Sequence, residues 1–254
     1  MMNMMDYLKQ VKEKKEYAGL PDSLIKRVLR LQEVRKEQGK ARIKRARAIL
    51  RKYFTVFLTN KVLKLEDELI LTKHKSTQHR DYKQLYRRIL GQEAGIIDLG
   101  AGVNGFSYPY INEISKRRYL AIEASKQLVD KMNQYFQSRN YLAKAIQADL
   151  FDLEEIVDIV RENSNHDSVV WLFQVIDALE GIQRDYSKRL ISALLEYGRV
   201  IVSFSLRSLS GRSKLAGKKW LFDFFKTDGV KIKDNFIHNG ERFMVLERHK
   251  NSSC

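Results

Sequence analysis

From Gly95 onward the apolar residues fall into short β-rich runs separated by stretches with a helical period. Candidate strands are Gly95–Leu99, Arg118–Ile122, Ala143–Ala148, Ser168–Phe173, Gly198–Phe204 and Arg242–Glu247, with Lys231–Ile237 weaker. Helical patterns such as Ser125–Gln137 and Tyr186–Leu195 lie between them. Alternation of this kind predicts an α/β, Rossmann-like fold: a mostly parallel sheet of about seven strands, covered on both faces. Ligands in such sheets bind outside the carboxyl ends of the strands, near the switch point. Residues 1–90 instead read as helical. Pro21-Asp22-Ser23 looks like a helix start and Gly39 is a second break. After Gly39, Ile43, Ala46, Leu50, Phe54 and Phe57 recur at steps of three and four and mark one apolar helix face. The boundary is expected near Arg88–Glu93. It divides the chain into a helical domain, 1–90, and a sheet domain, 91–254, that keeps a small-molecule site of its own.

Charge sharpens this division. The formal net charge is +16. Residues 1–90 hold 24 Lys and Arg against 10 Asp and Glu, whereas 91–254 hold 23 against 21. Lys40, Arg42, Lys44, Arg45, Arg47, Arg51 and Lys52 crowd one helical stretch. Without matching acids they repel one another, and phosphates would relieve the cost. A nucleic-acid partner is therefore favoured over a lipid surface. No 18-residue apolar run exists, so no membrane span is expected. The first residues lack the basic and apolar regions of a signal peptide. Cys254 is the single cysteine, and the five histidines show no metal spacing. We therefore expect a cytoplasmic, monomeric protein without disulfide or metal.

The candidate chemistry begins at Asp98-Leu99-Gly100-Ala101-Gly102-Val103-Asn104-Gly105. The glycines read as a turn that brings backbone close to a ligand. Gly100, Gly102 and Gly105 also fit G-x-G-x-x-G, which would suggest a nicotinamide dinucleotide and an oxidoreductase. However, Asp98 stands two residues before the first glycine, where it can reach a cationic amino-acid group. This arrangement resembles the first motif of S-adenosylmethionine (SAM)-dependent methyltransferases. Two more acids follow two more strands: Glu123, before Ala124, and Asp149, before Leu150. A carboxylate at the second strand can accept from both ribose hydroxyls. One at the third can accept from an adenine amine, with Leu150 against the ring.

Beyond this the chain resembles the aminoglycoside-resistance 16S rRNA (guanine-N7) methyltransferases of the Arm/Rmt/FmrO type over nearly its whole length. The resemblance rests on Lys15-Glu16-Tyr17 with Leu20, on Ser23 to Val28, on the basic segment from Lys40 to Phe57, and on His74-Lys75-Ser76-Thr77-Gln78-His79-Arg80. Asp98 to Asn104, and Val202-Ser203-Phe204 followed by Ser208-Leu209-Ser210-Gly211-Arg212, complete it. It implies that Ser76, Thr77 and Arg80 hold the methionine carboxylate of SAM, with His74 shaping that corner. Gly100, Ala101 and Gly102 would pass beneath the methionine portion. Glu123 and Ala124 would meet the ribose, Asp149 and Leu150 the adenine, and Leu172 the cofactor from the fourth strand. The implied partner is 16S rRNA in the small ribosomal subunit.

The chain departs from the family pattern at Ala101, at Gly105 (a proline position, which loosens the turn), at Gln174 (a lysine position) and at Asp177-Ala178-Leu179-Glu180. Guanine N7 carries a lone pair and needs no deprotonation, so no dedicated catalytic base is expected. Gln174 is the one candidate beside the reaction. Arg207, Arg212, Lys214, Lys218 and Lys219 form a basic loop suited to phosphate beside the target base. Trp220 and Phe106 could stack on the base or serve as core. Two other readings remain open at this point: methylation of another RNA position such as adenine N1, and a non-catalytic ribosome-binding or assembly factor.

Overall fold

The computed structural model describes residues 2–55, 64–65, 68–73, 77–164, 167–206, 219–227 and 229–249. A seven-stranded sheet organises them, made of β1 (Gly95–Leu99), β2 (Arg118–Glu123), β3 (Ala143–Gln147), β4 (Ser168–Phe173), β5 (Arg199–Ser205), β6 (Val230–His238) and β7 (Glu241–Arg248). Its order is β3-β2-β1-β4-β5-β7-β6. The first five strands are parallel, and β7 runs antiparallel to both β5 and β6. Every expected strand is present, and the weak seventh is a full strand. The chain leaves β1 toward β2 on one side and reaches β4 on the other, so the crevice at the carboxyl ends of β1 and β4 is the switch point.

Side chains alternate across the sheet, as strand geometry demands. Ile97, Leu99, Leu120, Ile122, Val170 and Leu172 join one apolar cluster, while Ile96, Tyr119, Ala121, Val169, Trp171 and Phe173 join the other. The first cluster also contains Tyr7, Leu8, Leu24, Val28, Ile43, Ala46 and Leu50 from the amino-terminal helices. Those helices are Met4–Lys12, Lys15–Ala18, Asp22–Arg30, Gln32–Arg35 and Gly39–Leu50. The second cluster takes Ile70, Leu71, Tyr82, Leu85, Tyr86 and Ile89, from helices Leu69–Lys73 and Tyr82–Ile89. Residues 1–90 therefore cover both faces of the sheet. The expected boundary near residue 90 marks a change of secondary structure and not a gap between two cores.

The helix start at Pro21-Asp22 and the break at Gly39 are both present. Gly39 opens its helix at φ +49° and donates its N–H to the Tyr7 hydroxyl at 3.0 Å. Ile43, Ala46 and Leu50 are buried and Phe54 is half-buried, as the spacing predicts; Phe57 lies outside the described residues. Among the described residues no helix is long and apolar enough to cross a membrane. Nor does any cluster of His, Cys, Asp and Glu among them fit a metal.

Because the clusters cross residue 90, a chain starting at 91 would expose the apolar face that helices 4–50 cover. At about 25 cal/mol per Å², each ~400 Å² of uncovered apolar surface costs about 10 kcal/mol, the scale of an ordinary domain's whole stability. We expect such a fragment to lack a cooperative unfolding transition in circular dichroism. A sharp transition near that of the whole chain would re-establish two independent domains.

Candidate functional site

Asp98, Glu123 and Asp149 all lie at or just past the carboxyl ends of adjacent strands and are buried. Asp98 is 1% exposed. Its Oδ2 accepts from Asn104 Nδ2 at 2.7 Å and from the Tyr119 hydroxyl at 2.6 Å. Its Oδ1 is buried with no hydrogen-bond partner. Burial pushes the carboxyl up to about 6, against the opposing pull of both hydrogen bonds and of the Arg80 charge. An acceptor oxygen left bare in this way is costly. A cationic donor would satisfy it.

The turn beside Asp98 needs its glycines. Gly100 has φ +69° and Gly102 φ +54°, a region that side chains rarely enter. A Cβ at Gly100 would also lie 2.8 Å from Val175. Glu123 holds this turn: Oε2 accepts from the Gly102 N–H and Oε1 from the Ser125 N–H, each at 2.9 Å. Burial raises the Glu123 pKa, and those backbone donors oppose the rise. The expectation that Gly105 loosens the turn is corrected. Gly105 is packed in a buried 3₁₀ segment, Asn104–Tyr110, where a Cβ would meet the Met132 sulfur at 2.4 Å. A pyrophosphate site of the dinucleotide type needs an α-helix opening at this turn. The short 3₁₀ segment, with Pro109 inside it, does not supply one.

Arg80 is turned into the protein. Its Nε and Nη2 form a fork on the Glu241 carboxylate, with Nη2–Oε2 at 2.8 Å. Nη1 donates to Asn104 Oδ1 at 3.0 Å. Tyr82, Phe173 and Phe243 surround the guanidinium at 5.4–5.9 Å from their ring centres. Burial alone would lower the Arg80 pKa, but Glu241 and neighbouring groups raise it above the ordinary arginine value. Ser203, on β5, donates its hydroxyl to Glu241 Oε1 and accepts the Gln174 N–H at 3.1 Å. Thr77 donates its hydroxyl to the Leu71 carbonyl at 2.7 Å. His74 and Ser76 lie outside the described residues, as do Arg207, Arg212, Lys214 and Lys218.

Other expected positions are placed as follows. Ala101, Ala124 and Leu150 are buried beside the turn and the strand ends, and Leu172 is fully enclosed in the first apolar cluster. Asp149 Oδ2 accepts from the Ser23 hydroxyl at 2.7 Å, and Oδ1 from the Phe151 N–H at 3.1 Å. Phe106 is fully buried core and cannot stack on a base. Trp220 is half-buried, with the Lys188 ammonium 5.6 Å from its ring. Gln174 follows β4 directly at φ 58°.

The basic stretch divides by what each side chain touches. Arg42 donates to the Leu29 carbonyl at 2.9 Å and sits over the Tyr7 ring. Arg47 donates to the carbonyls of Gln10 and Val11 and approaches Glu13. These two hold helix to helix. Arg45 pairs with Glu33 and Arg51 with Glu16, so the stretch is not without acids. Lys40, Lys44 and Lys52 are exposed, with Lys52 near the Tyr53 ring. Lys219 pairs with Asp223 at the start of helix Lys219–Thr227.

Sequence reasoning gave no role to Asn104, Tyr119, Ser203, Glu241 or Ser23. Asn104 and Tyr119 lie near the motif, Ser203 lies 29 residues from Gln174 and 38 from Glu241, and Glu241 and Ser23 come from segments more than 100 residues from Arg80 and Asp149.

The sequence matches no protein-family model. Over 153 residues it is 26% identical to a curated 16S rRNA (guanine(1405)-N(7))-methyltransferase from Proteus mirabilis, covering 56% of this chain. The match spans about half the length of that relative. Among solved structures, the 16S rRNA methylase RmtB superposes with a TM-score of 0.73 at 18% identity, covering 98% of this chain and 99% of its own. The 16S rRNA methyltransferase RmtF in complex with S-adenosyl-L-homocysteine gives 0.74 at 19% identity, covering 98% and 100%. An rRNA methylase from Escherichia coli gives 0.75 at 18%, covering 97% and 100%. The fold is thus that of the methyltransferase sheet, with the amino-terminal helices included in the match.

The raised pKa of Asp98 has a consequence for stability. The folded state holds this proton more tightly than the unfolded chain, whose ordinary value is 3.8. Its contribution is therefore most favourable at low pH and declines as pH rises from about 4 to about 6. We expect the stability of wild type relative to Asp98→Asn to fall by roughly 3 kcal/mol at most across that window and then level off. Denaturant unfolding of both proteins from pH 4 to pH 8 measures it. A flat difference would contradict the buried-carboxyl assignment.

Proposed function

We propose that this protein is a SAM-dependent methyltransferase that modifies N7 of a decoding-site guanine of 16S rRNA in the assembled small ribosomal subunit. The observation that carries the reading is the bare, buried Asp98 Oδ1 beside the left-handed Gly100–Gly102 turn at the switch point. A carboxylate oxygen there suits the ammonium of an amino-acid cofactor, and the glycines let backbone lie close beneath it. Glu123 has lone pairs left for ribose hydroxyls, and Asp149 for an adenine amine. SAM supplies an electrophilic methyl on a sulfonium. The Proteus mirabilis relative supports guanine N7 as the acceptor.

Guanine N7 attacks with its own lone pair, so the protein's task is to hold the base in line. The rim at β4 suits that task. Gln174 stands there in a strained backbone conformation, fastened by its N–H to the Ser203 carbonyl and hydroxyl, each at 3.1 Å. Strain of this kind costs about 1–3 kcal/mol and clusters where a side chain must be aimed. We assign Gln174 to orienting the base. We assign Lys40, Lys44 and Lys52, with the basic loop 207–218, to phosphate. Arg80 reaches a methionine carboxylate only with the donor capacity Glu241 leaves it, so the two acids would share its fork.

The decisive experiment is methylation of purified 30S subunits with labelled SAM, followed by mapping of the modified nucleotide. Label at a decoding-site guanine N7 is expected; label at adenine N1, or none, would replace this reading with a rival. Asp98→Ala and Glu123→Ala are expected to weaken SAM binding by roughly ten- to a hundredfold, the worth of a charge-assisted hydrogen bond. Affinity for 30S should fall steeply with salt as phosphate contacts release counterions.

Gln174→Gly separates strain from function. Glycine accepts φ 58° freely, so the variant should be more stable by roughly 1 kcal/mol. Its single-turnover methyl transfer should nevertheless fall, with SAM affinity unchanged. Undiminished transfer would remove Gln174 from the reaction.

A further inference from the structure

Helix Asp22–Arg30 belongs to the basic amino-terminal layer, yet it meets the carboxyl end of β3. Ser23 donates to Asp149 Oδ2 at 2.7 Å. Four residues on, Arg27 donates to Gln183 Oε1 at 2.8 Å and to the Phe151 carbonyl, with its guanidinium 5.0 Å from the Phe151 ring centre. The preceding turn is fastened as well. The Gly19 carbonyl accepts from Gln147 Nε2 at 2.7 Å and from the Lys126 N–H at 3.1 Å. A cavity of about 390 Å³ opens between the two layers, lined by Leu20, Pro21, Ser23, Gln147, Ala148 and Asp149, among others.

The charges of this cavity do not suit an anion. Its two lysines are paired, Lys12 with Asp22 and Lys126 with Asp130, and Asp149 and Glu155 add acid. Asp149 supplies an acceptor carboxylate, and beside the paired charges Ala18, Gly19, Leu20, Pro21 and Ala148 supply small and apolar surface, a combination that suits a neutral heteroaromatic ring carrying a donor. Asp149 is buried, so protein donors must fix its orientation. Only two are present on it among the described residues: the Phe151 N–H on Oδ1 and the Ser23 hydroxyl on Oδ2. A carboxylate offers about four acceptor sites, which leaves lone pairs on each oxygen.

We propose that Ser23 is a positioning residue of the adenine compartment: the rRNA-docking helices supply the hydroxyl that aims Asp149 at the adenine amine. The proposal rests on the SAM reading above. It makes the amino-terminal layer part of the cofactor site, so subunit docking and cofactor binding share one wall.

The test uses the full chain and two ligands. One is S-adenosylhomocysteine. The other is its analogue with purine in place of adenine, which lacks the exocyclic amine. Calorimetry gives both affinities for wild type, Ser23→Ala and Ser23→Thr. Ser23→Ala should bind S-adenosylhomocysteine roughly three- to tenfold more weakly, the worth of one neutral hydrogen bond. It should bind the purine analogue as wild type does, and Ser23→Thr should restore the loss. Equal loss for both ligands would reduce Ser23 to a structural support, and no loss would remove it from the site; either overturns the proposal while SAM binding stands. If wild type binds neither ligand, the cofactor reading itself falls and the proposal with it.

Discussion

Arg80 carries a charge into a wall of three aromatic rings, and Glu241 is what makes that tenable. A buried guanidinium without a partner costs several kcal/mol, and breaking such a pair by removing one member typically costs about 3–5 kcal/mol. The pair therefore has to form for the rim to close. Once formed, it fixes much else. Glu241 opens β7, the antiparallel strand beside β5, so the ion pair ties the segment before β1 to the far side of the sheet. The remaining guanidinium nitrogen orients the Asn104 side chain, whose amide then donates to Asp98. Asp98 is left with one oxygen satisfied twice and the other bare. The Arg80–Glu241 pair thus reaches Asp98 through a single amide.

The amino-terminal helices obey a similar economy of contacts. Their apolar faces complete one of the sheet's two clusters, and two of their arginines are spent on main-chain carbonyls. The exposed lysines proposed to meet phosphate, Lys40 and Lys44, lie on helix Gly39–Leu50, which packs on helix Asp22–Arg30, the helix that reaches the carboxyl end of β3. If this layer lies on RNA with one face and closes the ligand compartment with the other, as proposed, the two events act on the same helices. Any shift of helix Asp22–Arg30 on docking would move Ser23 against Asp149, and the reverse would hold on ligand binding, since coupling free energies are reciprocal.

How far the sequence was legible follows from the range of each contact. The strands were readable because burial on both faces demands unbroken apolar runs, and β1 and β4 are buried at every position. The three acids were readable because a carboxylate at or just past the end of a strand has few places to go but the rim. Glu241 and Ser23 were not, because Arg80 and Asp149 lie far from them in the chain and no local pattern marks the meeting. Arg42 and Arg47 were counted with the phosphate-binding cations for the same reason: sequence records their charge but not the carbonyls they reach. Gly105 fitted a nucleotide-binding pattern, yet its missing side chain makes room for Met132. A glycine says that space is short or φ is positive, and only the fold says which.

The proposed chemistry also explains where strain is tolerated. A transfer that needs no base relies on distance and alignment, so its cost is borne by geometry and not by titratable groups. Among the described residues with a side chain and a left-handed backbone, Gln174 alone directly follows a parallel strand. Its N–H is held by Ser203, and the Ser203 hydroxyl is held by Glu241. The side of the crevice proposed for the base and the side proposed for the cofactor are therefore anchored on the same carboxylate. An element strained by about 1–3 kcal/mol persists only when its surroundings over-determine it, and the pair buried beneath supplies that determination. Alignment across the switch point then depends less on any residue that touches the reacting atoms than on the ion pair under them.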